Sequence, residues 1–451
     1  MKYAPRVAPL TVAILLATVG VCFAAEASNV SADPTKAYIT LAVLGGAAIL
    51  FFTEIIPLPI TAMLVPVALS TFEVLPAAKA FSEFGNQWVV IFMAMFIVGE
   101  STFITGFAGK VGAWTVRTAG SSEPRLLLLS MLVIGILSAF LSNTGTIAVA
   151  IPMILGMCVK SGVAPGKILM PVAFASSLGG TITLVGTPPN GIINSVIGKM
   201  GATAGLHPFA FFEFAKFGIL LLLVGILYYA LIGRRFLPKD KACKEFDGQD
   251  EVRTVQRPEK MWWSVGVFVF VVAAMATGFL PLVTAAMLGV CLVVITGCMT
   301  MKECYRAVDW RTIFLFAGML PMSSALDSSG AAAFIAETVV SRVSDPMALM
   351  TVVCALTMLV TNFMSNTATA ALMAPLALPI AIAGGVSPLP LLMGVAMSAS
   401  ACFLTPIATP PNTIVLGPGN YNFMDYLKAG WPLQVISLVM CVVVIPMIWP
   451  F

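Results

Sequence analysis

The chain has 451 residues, 59% of them hydrophobic and 10% charged, with a net charge of +4 and a mean hydropathy of +1.00. That balance excludes a soluble globular domain and marks an integral membrane protein, whose mild positive charge bears on topology and not on nucleic acid. Nine cysteines stand singly without a CxxC, and His207, the one histidine, precedes a proline, which argues against a disulfide framework, a histidine-centred metal site or a catalytic triad.

In chain order, residues 1–27 come first: Lys2, Arg6, an apolar run from Val7 to Ala24 and the small-residue pattern Ala25-Glu26-Ala27 read equally as a cleavable signal peptide or an uncleaved first helix. Apolar spans follow at 37–54, 57–75, 87–107, 126–159, 168–198 and 209–233, a first repeat over 37–233. A polar cytoplasmic linker at 234–260, with eight bases and six acids, leads to spans at 261–279, 282–300, 311–333, 346–386, 389–416 and 430–450, a second repeat over 261–451. A bilayer crossing takes about 20 residues, so the 34 residues of 126–159 are too many for one crossing and too few for two. They are expected to form a re-entrant hairpin of two half-helices with its tip near Ser142 to Gly145, and 346–386 is expected to do the same. Spans 168–198 and 389–416 are interrupted by GTPPN and ATPPN; paired prolines remove two backbone donors and clash with the preceding turn, so both helices are expected to break.

The halves are copies. Thr61 aligns with Thr284, Trp88 with Trp310, Ser142 with Ser365, Pro152 with Pro375, Thr187 with Thr409 and Asn190 with Asn412, every offset being 222 or 223. Matches held in register over most of the chain indicate duplication. Each copy has an odd number of crossings plus one hairpin, so the second enters from the opposite face. The expected fold is therefore an all-α polytopic membrane protein with an inverted-topology repeat, the usual architecture of secondary transporters. With the N-terminus in the cytoplasm and the C-terminus outside, 19 of the 24 basic residues fall in cytoplasmic segments, leaving Lys36, Lys79, Lys199, Lys216 and Arg342 outside.

Four polar interruptions form two pairs: the tips at 142–144 and 365–367, and the broken helices at 186–190 and 408–412. Inverted symmetry lets the tips meet near the bilayer midplane. Each tip exposes a helix N-terminus, whose unpaired N–H groups and positive dipole end favour a carboxylate, while Asn amides and Thr hydroxyls add neutral donors. The unwound TPP segments free carbonyls that, with Ser hydroxyls and Asn oxygens, suit a small hard cation such as Na⁺. No Lys, Arg or His occurs in 138–152, 181–194, 361–375 or 403–416, so no fixed cation balances a bound dianion, and co-bound Na⁺ is expected to offset a cost of several kcal/mol.

A lone SNT is more often helix packing, and a lone Pro-Pro a kink. Duplication of both motifs at matching spacing favours a site, and the equivalence of Ser138 and Thr361, four residues before each SNT, makes them candidate cation ligands. Glu54, Glu100 and Asp327 lie at or near span ends and read as interfacial or capping residues. No nucleophile with a base and no carboxylate pair stands beside the motifs, and the linker is short of a folded output domain, which disfavours an intramembrane enzyme and a membrane sensor.

At these residues the sequence resembles the divalent-anion:sodium symporter family, the sodium/dicarboxylate or INDY-type carriers, through two SNT motifs, GTPPN and ATPPN, over nearly the whole chain. The resemblance implies a homodimer in the inner membrane, each protomer with a scaffold domain and a transport domain that moves as an elevator. It implies substrate contacts at Asn143, Thr144, Asn366 and Thr367, with Pro410 lining the pocket. It implies one Na⁺ site at Ser138, Ser142, Asn143 and Gly186 and a second at Thr361, Ser365, Asn366 and Ala408. The implied activity is Na⁺-coupled uptake of a C4-dicarboxylate such as succinate, malate or fumarate; Na⁺-independent exchange, or carriage of sulfate or citrate, are the alternatives within the family.

Overall fold

The computed structural model describes residues 34–120, 122–161, 163–201, 205–238, 257–343 and 345–451; residues 1–27 and most of the linker lie outside the described residues. The first repeat supplies α1 (Pro34–Thr53), α2 (Leu58–Thr71), α3 (Gln87–Ile104), α4 (Phe107–Ala119), α5 (Glu123–Ser138), α6 (Asn143–Ser161), α7 (Leu169–Gly180), α8 (Pro188–Val196) and α9 (Ala215–Leu231). The second supplies α10 (Met261–Thr277), α11 (Leu282–Ile295), α12 (Met301–Ala307), α13 (Trp310–Met319), α14 (Pro321–Ser328), α15 (Ala331–Val340), α16 (Pro346–Thr361), α17 (Asn366–Ala383), α18 (Pro388–Ser400), α19 (Pro410–Leu416) and α20 (Phe423–Ile448). Five of the described helical stretches are long and apolar enough to cross a membrane unaided.

The copies match in detail. Asn86 caps α3 by accepting from Trp88 N at 2.9 Å, and Asp309 caps the equivalent α13 by accepting from Thr312 N at 3.4 Å. Gly106 and Gly330 take left-handed φ values of 88° and 77° at the corners before α4 and α15, a conformation that a Cβ would strain.

The helices pack as two bodies. In one, α2 lies on α13 and α11 on α3, each copy's second crossing against the other's third. A methyl on Gly318 would come within 2.6 Å of the Ala62 carbonyl oxygen, so backbone meets backbone at that crossing. In the other body the hairpins α5–α6 and α16–α17 flank the broken helices α7–α8 and α18–α19, and α9 and α20 pack outside them. A ring cluster of Phe174, Tyr229, Phe403 and Tyr426 joins the copies there, with the Phe174 and Phe403 centroids 5.1 Å apart. The connecting helices α4 and α15 pack along the hairpins.

The inversion is visible at one tyrosine. Lys167 bonds Glu123 at 2.9 Å, so both feet of the first hairpin lie at one end of the molecule, where α7 begins. Tyr421, just beyond α19, donates to Gly166 O at 2.8 Å and accepts from Met170 N at 2.8 Å. The second broken helix therefore ends where the first one starts, and the two run in opposite directions.

Two details depart from the sequence reading. The span expected at 311–333 is two helices joined at Leu320, because Pro321 lacks the N–H to continue the ladder and instead opens a new helix. The prolines of GTPPN and ATPPN likewise occupy the first two positions of α8 and α19, where a missing N–H costs nothing; the unwound residues precede them.

Candidate transport site

The SNT motifs are helix starts. Ser365 caps α17, its hydroxyl accepting from Ala368 N at 3.2 Å, and Ser142 Oγ accepts from Gly145 N at 3.4 Å. Asn143 with Thr144, and Asn366 with Thr367, then fill the first two helical positions, whose N–H groups have no intrahelical acceptor. Each tip thus offers a positive dipole end together with amide and hydroxyl donors. Helix α7 spans 12 residues, about 18 Å of rise, against a hydrocarbon core about 30 Å thick, so the break that follows it lies near mid-depth.

Around the first tip, Ser138 Oγ donates to Asn143 Oδ1 at 2.5 Å and pairs with Ser176 Oγ at 2.9 Å, while Ser176 also reaches Asn143 O at 3.2 Å. A methyl on Gly180 would lie 2.8 Å from Asn143 Oδ1 and 3.1 Å from Gly186 O, and one on Gly186 would lie 2.7 Å from Ala139 O. Ser138, Asn143 and Gly186 are therefore gathered around a space bounded by oxygen atoms and closed by glycines. Around the second tip, Thr361 Oγ1 lies 3.1 Å from Asn366 Oδ1 and 2.6 Å from Ala399 O. Ala408 is buried at the end of the second break. The two environments differ: Thr361 meets a backbone carbonyl, Ala399 O, where Ser138 meets a side-chain hydroxyl, Ser176 Oγ, and at the offset of 222 Cys402 stands where the first copy has Gly180.

Residues that sequence reasoning left without a role hold the breaks in place. Thr183 Oγ1 donates to Ala139 O, and Thr405 Oγ1 donates to Asn362 O at 2.5 Å, each tying a break to the end of its hairpin's first half. Asn190 Nδ2 donates to Thr183 O at 2.8 Å; Asn412 Nδ2 donates to Thr405 O at 3.2 Å and Cys402 O at 3.0 Å. The Oδ1 atoms of both asparagines are buried with no hydrogen-bond partner among the described residues. The signal was present in the alignment, since Thr183 and Thr405 are separated by the same 222 residues as the motifs.

Access to the tips is one-sided. Ser142, Asn143, Thr144, Ser365 and Asn366 are half-buried and Pro410 is exposed, whereas Thr367 is buried. Helix α8 packs on α3 and α13 and helix α17 on α13; of their equivalents, α6 meets α3 lightly, where Gly145 faces the Phe103 ring, and α19 makes no comparable contact with the first body among the described residues. The tips are thus covered on the α8 side and open on the α19 side, toward the end where the first hairpin has its feet. At the covered end, Lys199 Nζ lies 2.6 Å from Glu83 Oε2. Burial, the largest influence, holds that ammonium's pKa below the ordinary lysine value, and Glu83 opposes the fall.

Comparison with known proteins bears on the family and the fold. A citrate transporter family model matches residues 48–378 and 322–450. YfbS, an uncharacterized transporter of Escherichia coli (strain K12), is 26% identical over 91% of this chain and 99% of its own. The sodium-dependent dicarboxylate transporter SdcS of Staphylococcus aureus (strain NCTC 8325 / PS 47) is 26% identical over 92% of this chain and 87% of its own. Among solved structures, the YdaH transporter of Alcanivorax borkumensis superposes with a TM-score of 0.64 at 14% identity, covering 92% of this chain and 98% of that one. MtrF of Neisseria gonorrhoeae gives a TM-score of 0.60 at 13% identity, covering 86% and 84%; these two likenesses speak for the fold alone. The protein is a multi-pass membrane transporter and not an enzyme, and the chain belongs to the citrate transporter family.

Proposed function

We propose that this transporter imports C4-dicarboxylates such as succinate, malate and fumarate together with two or more Na⁺ ions, as an inner-membrane homodimer whose hairpin body moves across the membrane against the other body. The observation that carries the reading is the pair of capped SNT tips with no Lys, Arg or His in any of the four motifs. Each helix N-terminus is worth roughly half a positive charge, so two tips supply about one against the two negative charges of a dicarboxylate. The shortfall must be met by mobile cations, since moving an uncompensated charge through the core costs several kcal/mol.

The assigned roles follow. Asn143, Thr144, Asn366 and Thr367 hold the two carboxylates, and Pro410 lines the pocket. Ser138, Ser142, Asn143 and Gly186 hold one Na⁺; Thr361, Ser365, Asn366 and Ala408 hold the other. Sodium's part is electrostatic and structural: it neutralises the substrate and draws the Asn side chains toward the breaks.

Uptake of labelled succinate into proteoliposomes tests the reading. The expected result is accumulation driven by an inward Na⁺ gradient. Uptake that ignores Na⁺ but requires internal dicarboxylate would replace symport with exchange. The family's name supports citrate as the second candidate, so competition by citrate belongs in the same assay; citrate uptake without succinate uptake would move the substrate.

A further inference from the structure

Among the described residues the Glu83–Lys199 pair has no counterpart at the equivalent positions of the other copy. Lys199 lies in a π-helical turn, Ile197–Gly201, at the end of α8, and its ammonium reaches two parts of the body formed by α2, α3, α11 and α13. One is Glu83, at 2.6 Å; the other is the Leu320 carbonyl between α13 and α14, at 3.4 Å. Asn86, the cap of α3, donates to Glu83 Oε2 at 2.8 Å and to Ser195 Oγ on α8 at 3.3 Å. Side-chain exposure is only 19% for Lys199 and 10% for Glu83, so the pair is largely withdrawn from water. By the repeat offset Lys199 corresponds to Tyr421 or Asn422, Glu83 to Tyr305 or Arg306, and Ser195 to Gly417 or Pro418. Tyr421 spends its hydroxyl within its own body, on Gly166 and Met170.

We propose that Lys199 and Glu83 form a one-sided latch, which holds closed the end of the transporter opposite the first hairpin's feet and biases the molecule toward the conformation described. The inference rests on the reading that the hairpin body moves. In an inverted repeat the alternative conformation exchanges the environments of the copies: α19 and α6 dock on the first body while α8 and α17 leave it. That movement separates Lys199 from Glu83, and the equivalent positions, Tyr305 or Arg306 and Tyr421 or Asn422, hold no acid and base to form the same pair in exchange. Removing either partner leaves a buried, unpaired charge in the closed arrangement, which favours release. Removing both charges leaves none, so the double variant is expected to lie nearer the parent than either single variant, the signature of a coupled pair.

The test measures the separation of the two bodies at the latched end in the full chain in lipid nanodiscs. Spin labels are placed by unnatural residues at Ala78 and Ala210, both exposed, which leaves the cysteines untouched; Ala210 is tied to the hairpin body through its neighbours, Phe209 bonding Asn194 and Phe211 bonding Leu184. Lys199→Met and Glu83→Gln are each expected to shift the ratio of far to near populations at least tenfold toward far. The double variant and the charge exchange Lys199→Glu/Glu83→Lys are expected to return most of it. Single variants with the parental distribution, or a charge exchange no closer to the parent than the singles, overturn the latch; the exchange also guards against a single variant that fails to fold. Succinate uptake by the labelled parent separates the two claims. Shifted distances without uptake leave the latch standing and remove the dicarboxylate reading, while normal uptake with unshifted distances removes the latch alone.

Discussion

At the scale of single residues, the site consists of neutral groups in two nearly equivalent settings. Asn143→Ala and Asn366→Ala each delete an amide from a tip, and each is expected to abolish succinate uptake while membrane expression and monodispersity stay near parental. Gly180→Ala puts a methyl 2.8 Å from Asn143 Oδ1 and 3.1 Å from Gly186 O, where the first Na⁺ is assigned. It is expected to weaken Na⁺ activation of uptake about tenfold, equivalent to about 1.4 kcal/mol; an unchanged Na⁺ activation curve would place the ion elsewhere. The tip residues were legible in the sequence because three hydrogen-bonding side chains interrupted an apolar run twice, at one spacing. Ser176 and Cys402 were not, because an isolated Ser or Cys in an apolar run usually has a packing role, and Thr183 showed itself only through its match to Thr405 at the repeat offset. Only the fold brings them to the hairpins.

At the scale of helices, length arithmetic revealed the hairpins and proline pairs revealed the breaks. The connecting helix α4 escaped notice because Lys110 and Arg117 interrupt its apolar content, so it does not register as a span. Why the prolines sit where they do also required the structure: they start half-helices and do not themselves form the unwound backbone. Close helix crossings give a separate test. Gly318→Val would force side-chain atoms into the α2 backbone at Ala62, an overpacking expected to cost about 1–3 kcal/mol. A melting midpoint several degrees lower in detergent checks this, and an unchanged midpoint would mean that the crossing is looser than described.

At the scale of the whole molecule, duplication, an odd number of crossings and the distribution of basic residues revealed inversion before any coordinates. The asymmetry was hidden, since the two copies have nearly the same motifs and the sequence does not say which of two related packings the chain adopts. That asymmetry rests on the more extensive contacts that α8 and α17 make with the first body, which α19 and α6 match only in the light contact of α6 with α3. The central claim is that the charge missing from the protein travels with the substrate as Na⁺. Simultaneous flux of radiolabelled Na⁺ and succinate in proteoliposomes measures this directly. The expected result is a succinate-stimulated Na⁺ influx of about two ions per succinate, one for each assigned site, where the helix-end charges alone require at least about one. Succinate accumulating at the same rate without Na⁺, or a Na⁺ influx indifferent to succinate, would contradict it.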